Sequence, residues 1–142
     1  MTPVYAGQLT AARRGIALVD EHGILVQDEL KNNASPARVR CAMVTEADIT
    51  IDGAQAKLTQ DGKTLHVHVV RPADATLSTL STAPPTEAEN PNTGTRMLAF
   101  EADVSADEVA RFVVRLTPAP HVEEKSQPNR HAPVPIKPLA DW

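Results

Sequence analysis

Short apolar segments that alternate along this chain, joined by very tight connections, restrict it to an antiparallel sheet. Arg13–Asp20, Gly23–Leu30 and Ala37–Val44 follow one another almost without interruption. Side chains in a strand alternate between faces with a period of two, so Ile16 and Leu18 share one face while Ala17 and Val19 share the other. The Glu21-His22-Gly23 connection supplies a glycine that tolerates positive φ, and the chain returns through Ile24, Leu25 and Val26, a hairpin signature. The three segments are expected to form consecutive strands of one sheet.

The same punctuation continues downstream. Ala47–Ile51 ends at Asp52-Gly53 and Gln55–Gln60 ends at Asp61-Gly62, with Lys63–Val70 following directly, so two Asp-Gly turns frame a meander. Within Lys63–Val70, the residues Leu65, Val67 and Val69 form an inward row and His66 and His68 point away from it. Ala75–Ser81, Arg96–Val104 and Val109–Leu116 supply further strands. The stretch from Ala83 to Thr95 is rich in Pro, Asn, Thr and Glu and is expected to be a mobile or functional loop. Roughly eight to ten short strands without a helical pattern predict an all-β antiparallel sandwich over residues 1–117. From Pro118 onward lie six of the twelve prolines. Proline removes ladder donors, so residues 118–142 read as an extended or disordered tail whose end is expected to fray. Trp142, with Ile136 and Leu139, provides the side chains able to anchor that tail on the sandwich or on a partner chain.

Composition narrows the function classes. With 142 residues the chain is one domain able to bury a core, and at 42% hydrophobic but only 3% aromatic that core is aliphatic. Stacking platforms for bases or sugars are correspondingly scarce. The net charge of -4 argues against a nucleic-acid partner, whose footprint is a basic excess. Cys41 is the single cysteine, has no internal disulfide partner, and reads as a small buried hydrophobe. No segment approaches the roughly 18 to 20 apolar residues of a membrane helix. The first residues show no basic stretch followed by an apolar run, so no signal peptide is expected in this chain and no membrane partner.

Several side chains invite a chemical reading. His66 and His68, two apart on one strand face, have a spacing compatible with a shared zinc ion, but no third ligand accompanies them, and a solvated or inter-sheet pair is the favoured reading. Arg13 and Arg14 project to opposite faces, whereas Arg38 and Arg40 share one, and guanidinium forks bind carboxylate or sulfate bidentately. Arg13, Arg38 and Arg40 are therefore the candidate substrate-binding residues. The competing reading pairs these arginines across strands with Asp20, Asp28, Glu29 or Glu46. Asp28 and Glu29 are adjacent in a strand and face opposite ways, so they do not form a carboxylate pair in one site. No nucleophile with a base, no phosphate loop and no metal cluster stands out, so no catalytic residue and no cofactor is assigned.

The run Val4-Tyr5-Ala6-Gly7-Gln8-Leu9, then Ala11–Val19, then Val26-Gln27-Asp28-Glu29, resembles the C-terminal β region of the heparinase II/III-like polysaccharide lyases. Ala42-Met43-Val44-Thr45 and Ala54–Leu65 are similar to sandwich strands of that family and of its chondroitin and alginate lyase relatives. The resemblance covers roughly residues 3–117 and rests mostly on strands and turns. It implies membership of enzymes that cleave uronic-acid polysaccharides by β-elimination, built from a helical toroid followed by large antiparallel sheets, and often periplasmic or secreted. Their acid and base are mainly Tyr and His residues upstream of the region matched here. None of that constellation is matched in this chain, and Tyr5, the only tyrosine, is assigned a packing role. The implied function is a non-catalytic C-terminal sandwich that supports a catalytic toroid domain and contacts acidic polysaccharide. A self-contained carbohydrate-binding module using Pro84–Gly94 and nearby arginines is the alternative. So is an assembly domain that pairs through its tail or an exposed strand edge with another subunit.

Overall fold

Nine strands, each paired antiparallel with its neighbours, carry the alternation into two sheets of a computed structural model that describes residues 8–19, 23–86, 88–119 and 136–142. They are β1 (Leu9–Val19), β2 (Gly23–Asn32), β3 (Ala37–Thr45), β4 (Asp48–Asp52), β5 (Gln55–Gln60), β6 (Lys63–Arg71), β7 (Ser78–Ser81), β8 (Arg96–Val104) and β9 (Val109–Pro118). The first sheet has six strands in the order β1-β2-β9-β6-β5-β4, and the second has three in the order β3-β8-β7. The expected all-β antiparallel sandwich is the observed architecture.

The first hairpin pairs Val19 with Gly23 and runs in register to Ala12 opposite Leu30, with a shift between Leu9 and Ala11. Its connecting residues 20–22 lie outside the described residues, as do Tyr5 and most of the proline-rich tail. One expectation fails here: β3 does not join β1 and β2 but opens the second sheet. Pro36 cannot donate to a ladder. The Asn32 amide nitrogen donates to the carbonyls of Ser35, Val104 and Ser105 at 2.8, 3.0 and 2.9 Å, tying the end of β2 to the end of β8. Ala37 consequently starts its strand opposite Val104, and β3 pairs with β8 throughout.

The two Asp-Gly turns are present, with Gly53 and Gly62 at φ of 57° and 73°. The strand expected at Ala75–Ser81 is shorter, because Ala75 and Leu77 drop into the core and the Leu77 N–H donates to the Gly53 carbonyl instead of to a neighbouring strand. The base of the long loop is held by Thr82 against Thr95 and by the Asn92 amide on the Thr82 carbonyl.

Phe100 on β8 and Phe112 on β9 meet edge to face between the sheets, ring centres 5.8 Å apart, within a buried core otherwise built of Leu, Val and Ala. That geometry is favourable for aromatic quadrupoles. The end of the tail is seated, not frayed. Leu139–Asp141 form a 3-10 turn beside β1, where Gly15 has no side chain. A β-carbon there would collide with Leu139 and come within 3.1 Å of Trp142. The Leu139 N–H donates to Glu29 Oε1 at 3.0 Å, and Gln27 Nε2 donates to the Lys137 carbonyl at 2.8 Å. Trp142 and Leu139 thus anchor on the sandwich itself.

Candidate functional site: the groove between two edge strands

β1 is the edge of the six-stranded sheet and β3 the edge of the three-stranded one, and the two edges lie on the same side of the sandwich. Between them runs a hollow of about 480 Å³. Its charged lining among the described residues comprises Arg13, Arg14, Arg38, Arg40 and a single carboxylate, Asp28. The three arginines singled out from the sequence are therefore brought to one groove from two different sheets. His66 and His68 are not: both are exposed on β6, facing Lys57 and Gln55 across the β5 ladder. A lysine beside them opposes a bound cation. Among the described residues no group of three His, Cys, Asp or Glu side chains is placed to hold a metal ion.

The arginines enter the groove differently. Arg14 stands opposite Asp28 in the hairpin and grips it with two hydrogen bonds of 2.6 and 2.7 Å, the fork geometry in which guanidinium and carboxylate match best. The Asp28 side chain is only 14% exposed. The Cys41 thiol reaches Asp28 from β3 at 3.8 Å. Burial first, and the Asp28 charge second, push the Cys41 thiol up to about 12. It is therefore a neutral thiol at physiological pH and a poor nucleophile, since the thiolate is the reactive species.

Arg38 and Arg40 sit on the outer face of β3, where both donate to Glu101 of β8 at 2.6 to 2.9 Å, and Arg38 approaches Asp103 at 3.7 Å. The Arg40 hydrogen bond, then that of Arg38, hold Glu101 below the usual carboxylate range. Arg13 forms the opposite rim, facing Glu29 across the hairpin. Glu29 accepts from Arg111 at 2.8 Å and is held low chiefly by that bond, against the opposing effect of its burial. Asp28 and Glu29 thus point to opposite faces, as strand alternation dictates.

A second, apolar hollow of about 210 Å³ adjoins the groove, sharing Arg14, Asp28, Cys41 and Ala42 and continuing inward to Met43, Phe100 and Phe112. No histidine, tyrosine or lysine lines the groove among the described residues. The arrangement presents guanidinium donors able to hold an anion by charge and hydrogen bonds. No family model matches the chain, and no curated protein matches it.

The pairing of Arg14 with Asp28 is one of the cross-strand pairings expected from the sequence, and its register explains it: once Val19 is opposite Gly23, Arg14 stands opposite Asp28. The approach of Cys41 had no sequence signal, because it depends on where the second sheet packs.

Proposed function

We propose that this chain is the non-catalytic C-terminal β-sandwich of a heparinase II/III-like polysaccharide lyase, or a detached homologue of one, and that its β1–β3 groove contacts acidic, uronic-acid polysaccharide. The observation carrying this reading is the convergence of four arginines on a single groove of a chain whose net charge is -4, with Asp28 and Glu101 as the carboxylates that hydrogen-bond Arg14, Arg38 and Arg40. Guanidinium forks suit carboxylates and sulfates repeated along a glycan. Each has five N–H donors, so pairing with Glu101 leaves Arg38 and Arg40 further donors for such a ligand. Scarcity of aromatic side chains favours charge over ring stacking as the mode of contact.

Support for the catalytic domain would be the module's main contribution, with the groove extending the surface over which substrate runs. A titration of the chain against alginate, chondroitin, heparin and neutral dextran, at low and moderate salt, tests the reading. Binding restricted to the acidic glycans, weakened by salt and further weakened by Arg38→Ala or Arg40→Ala, is the expected result; screening over a Debye length of about 8 Å at physiological ionic strength sets the salt sensitivity. Equal binding to dextran, or none to any glycan, would overturn it.

A further inference from the structure

The edge of β1 changes character along its length. Ala12, Arg14, Ile16 and Leu18 all belong to the row facing the second sheet. Ala12 packs against the core, yet Ile16 is 67% exposed and Leu18 84%. On the other face of the same edge, Leu139 and Trp142 rest on Gly15, and Trp142 remains 43% exposed. Among the described residues, the β1 edge at Gly15–Val19 pairs with no further strand and is flanked by apolar side chains on both faces. A flat protein surface would reach only one of these shelves, whereas an added strand, with side chains alternating above and below, reaches both. A long apolar edge strand is also the template that natural sheets otherwise shield with charge, proline or a bulge.

We propose that β1 is an association surface for a second copy of this chain, the two Gly15–Val19 edges pairing antiparallel about a two-fold axis centred on Ala17. In this register Ile16 of one copy lies beside Leu18 of the other, and Gly15 lies opposite Val19. A two-fold contact is self-complementary, and these residues satisfy that condition. Charge agrees with it. The two Arg14 residues are offset by six positions, about 20 Å at the rise of a strand, which is beyond screening range in physiological salt. In the sequence the segment Gly15–Val19 is preceded by Arg13 and Arg14 and followed by Asp20 and Glu21, so antiparallel self-association of this segment is charge-complementary at the level of sequence.

This inference stands apart from the glycan reading, which uses the Leu9–Arg14 half of β1 and the arginines of β3. Light scattering after gel filtration, across a wide concentration range, reads the association. A concentration-dependent dimer is expected, with Ile16→Lys and Leu18→Lys each raising the dissociation constant roughly ten-fold or more, the loss appropriate to a buried aliphatic side chain. Both positions are exposed in the single chain, so the melting temperature should be retained and glycan binding unchanged. For the register, Ala17→Cys should yield a covalent dimer on mild oxidation while Arg13→Cys does not. A monomer at every concentration, a dimer indifferent to both lysines, or equal cross-linking at positions 13 and 17 would overturn the proposal.

Discussion

Asn32 illustrates how much one polar side chain determines in a small sandwich. It is 1% exposed, donates to three carbonyls from two strand ends, and accepts the Asn33 N–H at 2.9 Å. Buried carbonyls stripped of their donor pay the full desolvation penalty, so Asn32→Ala is expected to cost about 1–3 kcal/mol. Urea denaturation should show a lower midpoint with an unchanged slope. A change below about 0.5 kcal/mol would contradict the assignment of Asn32 as the tie between β2 and β8, since that is the range of inconsequential surface substitutions. Nothing in the local sequence marks Asn32 for this role. Its position before Asn33 and Pro36 reads as an ordinary turn, and two of its acceptors, Val104 and Ser105, lie far along the chain. The arginines were more legible. Their face assignments followed from period-two alternation alone, whereas their partners Glu101 and Asp103 came from β8, whose pairing with β3 the sequence does not disclose.

At the scale of an element, the seated end of the tail depends on a glycine and a carboxylate. Gly15 leaves the space that Leu139 and Trp142 fill, and Glu29 accepts both the Leu139 N–H and the Arg111 guanidinium on one oxygen. The Arg111 bond holds Glu29 below its ordinary value of 4.5. A carboxylate with a depressed folded value contributes stability that is complete above its unfolded value and is lost as the pH falls through the folded one. The tail end should accordingly stay seated down to about pH 4.5 and release below it. Trp142 is the only tryptophan, so its emission should shift to the red in acid before the sandwich unfolds by far-ultraviolet circular dichroism. Glu29→Gln should flatten that pH profile; an unaltered acid transition in this variant would show that another group governs the release. Prolines between residues 118 and 138 argue for a non-ladder segment, but they say nothing of a glycine in β1 that receives its end. The strands themselves were readable because each is bounded by turn residues whose chemistry is local. β7 was overextended because Ala75 and Leu77 look strand-like while their burial comes from packing into the core.

For the whole molecule, cooperativity rests on contact between the sheets. Phe112, 4% exposed, carries the edge-to-face contact with Phe100 from the six-stranded sheet to the three-stranded one. Phe112→Ala should cost about 3–5 kcal/mol, the usual loss for a buried aromatic truncated to alanine, and both sheets should then melt together at a lower temperature. Melting of one sheet while the other persists would contradict a single cooperative unit built on that contact. What the sequence by itself determined is the set of properties with local causes: strand periodicity, the Asp-Gly turns, the face of each arginine, an aliphatic core and an acidic surface. Tertiary structure alone decided which sheet β3 enters, how Arg13, Arg14, Arg38 and Arg40 converge on one groove, and why Ile16 and Leu18 remain uncovered. Those outcomes depend on the relative placement of two sheets. That placement is set by packing of side chains distant in sequence, which no local pattern encodes.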